Sequence, residues 1–190
     1  MVQTVEIRWH GRGGQGTVTA AKILADTCLG SGRHVQAFPE YGPERSGAPL
    51  RAYNRISDGE IRMHCPVLYP QVVAVADATL LDSVDVTEGA AEDAAFIINT
   101  VKGPAEVRVR LGLRDKQRVY TIDATKIAID CFGKAMPNSP MLGTICKVTA
   151  LMSLDSLIEG ILRLVKQLPK AVTDGNVEAA KRGYTEAREG

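Results

Sequence analysis

Apolar and polar residues alternate at the start of the chain, with Val5, Ile7 and Trp9 set against Thr4, Glu6 and Arg8. That period of two predicts a strand, because successive side chains of extended backbone point to opposite faces. The period then changes. Between residues 17 and 29, Val18, Ala21, Ile23, Leu24, Ala25 and Cys28 recur at helical spacing, and Gly30 and Gly32 supply a stop. Strand patterns return over 34–38 and 50–56, the second closing at the turn Ser57-Asp58-Gly59.

Further on come Val72-Val73-Ala74-Val75-Ala76, Ala95-Phe96-Ile97-Ile98-Asn99 and Val119-Tyr120-Thr121-Ile122-Asp123. Short apolar runs of this kind suit parallel strands covered on both faces. Their polar ends, Asp77, Asn99 and Asp123, mark the edge where open α/β sheets take ligands. Leu80, Leu81 and Val84 read as a short helix or turn, and 124–132 as a helix closed by Gly133. Ser139 as N-cap with Pro140 at the first helical position announces a helix whose apolar face holds Met141, Leu142, Ile145, Val148, Leu151 and Met152. An amphipathic helix over 154–168 ends at Pro169. Thr173-Asp174-Gly175-Asn176 reads as a turn and helix start, followed by a polar terminal helix over 177–188. With no repeat or linker, the pattern predicts one Rossmann-like α/β domain over 1–190. Its central sheet is mostly parallel, flanked by helices, with a helical C-terminus.

Composition narrows the function classes. The 23 basic and 22 acidic residues are well mixed, which argues against a nucleic-acid footprint. No apolar stretch is long enough for a membrane span, and no secretory leader pattern opens the chain, so a cytoplasmic protein is expected. Cys28, Cys65, Cys131 and Cys146 stand far apart in sequence, a spacing that favours free thiols over a disulfide framework or a self-contained cluster. No triad, metalloprotease or Walker motif is present. His10 borders the first loop and reads as a hydrogen-bonded strand-end histidine, with ligand contact as the alternative.

The candidate chemistry lies in that loop, Gly11-Arg12-Gly13-Gly14-Gln15-Gly16. Between a strand and a helix, glycines let a ligand approach the backbone, whose exposed amides and helix dipole attract phosphate or carboxylate. Gly11, Gly13 and Gly16 satisfy the dinucleotide spacing G-x-G-x-x-G. The second strand does end near Glu40, but a long loop with two acids and an arginine follows, unlike the usual NAD corner. From these residues alone two readings stay open: a nucleotide cradle, or a tight turn that allows close helix–strand packing.

The glycine loop taken together with Phe38-Pro39-Glu40-Tyr41-Gly42-Pro43-Glu44-Arg45-Ser46-Gly47-Ala48-Pro49 resembles the gamma subunit of the 2-oxoacid:ferredoxin oxidoreductases. The likeness extends through Asn138-Ser139-Pro140-Met141-Leu142-Gly143 and Asn176 to Tyr184. The resemblance implies one subunit of an enzyme that oxidatively decarboxylates a 2-oxoacid and passes the acyl group to coenzyme A. Pyruvate is the first expectation, and an aryl glyoxylate or another 2-oxoacid the alternative. It also implies that thiamine diphosphate and 4Fe-4S clusters sit on alpha, beta and delta type partner subunits, with ferredoxin or another acceptor taking the electrons. This chain would help form the coenzyme A site through Gly11, Gly13, Gly14, Gln15, Gly16 and Arg45. Rival expectations are a stand-alone NAD- or FAD-binding dehydrogenase domain and a purely structural subunit.

Overall fold

A computed structural model describes residues 4–40 and 47–190. The first strand, β1 (Thr4–Arg12), runs into α1 (Thr17–Gly30), followed by β2 (His34–Glu40) and β3 (Pro49–Ser57). Strands β4 (Val72–Val75), β5 (Ala95–Asn99) and β6 (Arg118–Ile122) follow, with a 3-10 turn Ala78–Asp82 after β4 and α2 (Pro104–Leu111) after β5. The chain continues through α3 (Ala124–Phe132), α4 (Asn138–Thr149), α5 (Leu154–Val165) and α6 (Lys170–Glu186) to a two-residue strand, β7 (Arg188–Glu189).

The strands form one sheet in the order β2-β3-β1-β4-β5-β6-β7. Its centre, β1-β4-β5-β6, is parallel, while β2, β3 and β7 join antiparallel. Side-chain alternation divides the core between the two faces. Ala74, Ile97 and Tyr120 pack toward α1, α4 and α6, whereas Val73, Val75, Phe96, Ile98 and Val119 pack toward the segment after β4 and toward α2. Burial on both faces is why the central strands read as unbroken apolar runs.

Connections leave β1 and β4 in opposite directions. The chain after β1 crosses one face as α1, whose Ala20, Ala21, Ile23 and Leu24 join the larger core. The chain after β4 covers the other face with Ala78, Leu81 and Val84. Ligand sites in open α/β sheets form in the crevice at such a divergence, beyond the carboxyl ends of the strands.

Several expected elements differ in detail. Helix α4 begins at Asn138 behind Pro137, and Ser139 is no cap: its hydroxyl donates instead to Asn176 Oδ1 at 2.7 Å. That helix stops at Thr149 with Ala150 in the left-handed conformation, so Leu151 and Met152 are buried beyond it. Helix α6 starts directly after Pro169, which places Thr173 to Asn176 inside a helix, with Asn176 Nδ2 bonded to Val172 O. The last expected helical residue, Arg188, belongs to β7.

Candidate functional site

The glycine loop lies at the divergence of β1 and β4. Gly11 and Arg12 belong to β1, so the loop proper is Gly13 to Gly16. Gly11 is buried, and a Cβ there would stand 2.2 Å from Thr17 Oγ1. Only a hydrogen at Gly11 lets α1 start so close to its strand. Gly14 and Gly16 have φ of 92° and 74°, the left-handed region, and at Gly16 a Cβ would also lie 3.0 Å from the Asn138 carboxamide.

One network holds the loop. Gln15 Oε1 accepts from the Arg12 amide at 2.8 Å, and Gln15 Nε2 donates to Asp77 Oδ2 at 2.9 Å. Arg12 donates to Asp77 Oδ2 at 3.0 Å, to Gly47 O at 3.0 Å and to Thr79 Oγ1 at 3.1 Å. Burial opposes ionisation of Asp77. Hydrogen bonds from Thr79 and Gln15 and the Arg12 charge prevail, and hold its carboxyl below the ordinary value. Asp77 also caps the 3-10 turn through the Thr79 amide. Arg12 thus ties together three segments that the sequence separates widely.

Above the network opens a cleft of about 310 Å³, lined by Arg12, Gly14, Gly16, Thr17, Val18, Thr19, Leu50 and Met136. It exposes the first turn of α1, where no side chain caps the amides. Uncapped first-turn N–H groups and the positive end of the dipole make a ready anion site. Two buried oxygens nearby have no partner among the described residues, Thr17 Oγ1 and Asn138 Oδ1. An enclosed orphan of this kind costs about 1–3 kcal/mol.

On the opposite face of the sheet, the register aligns Glu40, Arg51 and His10 in one row, and Phe38, Tyr53 and Arg8 in the next. His10 is 2% exposed and accepts through Nε2 from Arg8 Nε at 3.1 Å. Burial first, then the charges of Arg8 and Arg51, push its pKa down to about 3. Arg8 is spent on the carbonyls of Val86 and Glu88, which pin the segment after β4. The expected strand-end histidine is therefore a neutral, bonded group beneath the loop. It also lines a cavity of about 170 Å³ with Glu40, Arg51 and Leu80.

The expected site residues fall into three groups. Gly13, Gly14 and Gly16 form the loop proper, and Gly14 and Gly16 line the cleft. Gly11 serves close packing beneath it, and the Gln15 carboxamide is bonded into the loop. Arg45, with Glu44, lies outside the described residues. Sequence reasoning missed Arg12, Asp77, Thr17 and Asn138; only the polar residue ending β4 signalled one of them. Glu40 does not occupy the corner of a dinucleotide site. β3 intervenes between β2 and β1, and the Glu40 carboxylate instead accepts a hydrogen bond from Tyr53.

Comparison with known proteins agrees with this architecture. A family model described as pyruvate ferredoxin/flavodoxin oxidoreductase matches residues 6–186. Pyruvate synthase subunit PorC of Thermotoga maritima is 45% identical over 184 residues, 96% of this chain and 94% of the relative. A common gamma subunit of the pyruvate/ketoisovalerate oxidoreductases of Thermococcus kodakarensis is 42% identical over 180 residues, covering 95% of each chain. The crystal structure of the Thermotoga maritima pyruvate oxidoreductase subunit PORC superposes with a TM-score of 0.88 at 42% identity, over 98% of both chains.

Proposed function

Since this chain belongs to the pyruvate ferredoxin/flavodoxin oxidoreductase family, we propose that the cleft at the start of α1 is its share of a coenzyme A site. The chain is a gamma-type subunit of an oxidoreductase and is not catalytic alone. The complete enzyme oxidatively decarboxylates a 2-oxoacid in the cytoplasm, conserves the acyl group as a thioester and gives two electrons to ferredoxin or another acceptor. Thiamine diphosphate and the 4Fe-4S clusters belong to the alpha, beta and delta type partners. Pyruvate is the substrate that the PorC likeness favours. The Thermococcus relative is named as common to pyruvate and ketoisovalerate oxidoreductases, which supports choice of the 2-oxoacid by other subunits.

The observation that carries this reading is the uncapped first turn of α1 opening into a cleft beside Arg12. A phosphate placed there meets amide donors and positive potential. The arm beyond it would run along Leu50 and Met136. Holding the thiol substrate at the subunit junction turns acyl transfer into a local step and lowers its entropic barrier. Gly13, Gly14, Gln15 and Gly16 supply the cradle, Gly11 permits it, and Arg45 supplies a cation to the same phosphate.

Thr19→Glu tests the reading in the assembled enzyme. Thr19 is exposed in the first turn, where a carboxylate favours the helix dipole yet repels an incoming phosphate. We expect a Michaelis constant for coenzyme A raised roughly tenfold, with unchanged stability, relative to Thr19→Gln. Arg45→Ala should act in the same direction. Coenzyme A kinetics indifferent to both changes would overturn the assignment.

A further inference from the structure

The cavity on the other face of the sheet has a wall of mixed charge. The ladder sets Glu40 opposite Arg51 and Arg51 opposite His10, so these polar side chains share one row, and all of them line the cavity of about 170 Å³. Glu40 and Arg51 do not close on each other. The Glu40 carboxylate accepts the Tyr53 hydroxyl through Oε2, which leaves Oε1 and most of its lone pairs free. Arg12 and Arg55 each find a carboxylate, whereas the half-buried Arg51 has none among the described residues. His10 accepts from Arg8 through Nε2, so its one N–H is at Nδ1; that nitrogen has no partner among the described residues and is not sealed from solvent. Pro49, Leu80 and Val84 add apolar surface to the same wall.

Charge selects the guest. A simple anion drawn by Arg51 meets the Glu40 carboxylate, and a simple cation drawn by Glu40 meets the Arg51 guanidinium. A molecule carrying both charges meets a partner for each. Cross-strand neighbours stand about 5 Å apart at Cβ, which suits opposite charges separated by a single carbon atom. Size narrows the choice further: a cavity of about 150 Å³ takes a benzene ring, so this one takes roughly six to nine non-hydrogen atoms. We propose that the cavity is a binding site for a free α-amino acid with a short branched side chain, of valine's size. Arg51 holds the carboxylate, His10 Nδ1 donates to its second oxygen, and Glu40 Oε1 accepts from the ammonium. The side chain rests on Leu80 and Val84. The site lies across the sheet from the coenzyme A cleft and does not depend on that reading.

Calorimetric titration of the assembled oxidoreductase tests this with L-valine, with isobutylamine, which lacks the carboxylate, and with isovalerate, which lacks the amine. L-Valine should bind roughly tenfold more tightly than either fragment. Arg51→Gln should weaken L-valine by roughly tenfold and erase its advantage over isobutylamine. Glu40→Gln should erase its advantage over isovalerate. Val84→Phe, which fills the apolar end and leaves both charges in place, should abolish binding of every probe. These substitutions lie in β2, in β3 and in the segment after β4, so failure of one variant to assemble leaves the others to decide. Isovalerate binding as tightly as L-valine to the unaltered enzyme would make this a plain anion site and overturn the proposal. No binding of L-valine, or binding indifferent to all these substitutions, would overturn it as well.

Discussion

Arg12 Nε and Asp77 Oδ2 meet at 3.0 Å across the point where the chain leaves β1 toward one face of the sheet and β4 toward the other. The pair is partly buried, with 30% and 16% of the two side chains exposed, and Gln15 shares the same carboxylate oxygen. It spans the crevice that the topology opens and leaves the glycine loop one shape.

Replacing that carboxylate should loosen the loop and cost stability. Asp77→Asn loses the charge that Arg12 and Gln15 share, at about 1–2 kcal/mol near neutral pH, allowing for solvent screening. The pH dependence has a definite sign. The folded carboxyl titrates below its ordinary 3.8, so its contribution is complete above 3.8 and is lost as pH falls through the folded value. Urea unfolding of both proteins at about pH 7 and again well below 3.8 checks this. A gap that does not close in acid would assign the effect to shape alone.

The two left-handed glycines of the loop should respond differently to alanine. Each substitution meets backbone strain of about 1–2 kcal/mol. Space is open around Gly14, so strain is the whole cost there. At Gly16 the new methyl also meets the Asn138 side chain, its Cγ and Nδ2 at 3.0 Å and its Cβ at 3.1 Å, adding roughly 1 kcal/mol. In an Asn138→Gly background, which removes Cβ as well as the carboxamide, the difference between the two variants should disappear. A double-mutant cycle by chemical denaturation measures it, and additivity would refute the contact.

Much of this architecture is legible in local patterns, and what is not has a physical cause. The apolar runs of β4, β5 and β6 declare themselves because both faces are covered. Helix α2 escapes because it buries only Val107, which leaves no stripe; its signals are Pro104 at the first turn and Gly112 in the left-handed cap. The insertion of β3 beside β1 is a long-range pairing that no local period reveals. The loop is visible in its glycines, whereas its fasteners come from distant parts of the chain. Asp77 is 65 residues from Arg12, and Asn138 is brought to Gly16 by the seating of α4 on α6. The Ser139 cap was plausible locally and lost to a tertiary bond with Asn176.

His10 should stay uncharged far into acid. Its folded pKa of about 3 lies below the ordinary 6.5, so the unfolded chain binds the proton first. Between these values stability falls as pH falls, by about 1.4 kcal/mol per unit from this group. His10→Gln should flatten that part of the profile. Nitrogen chemical shifts of the imidazole should show a neutral ring, protonated on Nδ1, near pH 5. A ring titrating close to 6.5 would show that the Arg8 bond and burial do not govern it.

The seam between α4 and α6 should be the least forgiving place for an added methyl group. A Cβ on Gly143 would lie 1.9 Å from Ala180 O, and one on Gly183 would lie 2.0 Å from Pro140 O. Those obstacles are backbone, and Thr144 Oγ1 donates to Gly183 O at 2.9 Å, so neither helix can yield without losing bonds. Gly143→Ala and Gly183→Ala should each cost about 3 kcal/mol, the upper range for overpacking. Gly30→Ala is the control. It ends α1, and its Cβ would approach only the flexible Arg163 guanidinium, at 3.8 Å. There alanine should stabilise by about 0.5 kcal/mol through helix propensity. Denaturation midpoints that place Gly143→Ala beside Gly30→Ala would show that the helices can separate at this seam, and Asn138 would then lose the support that sets it against Gly16.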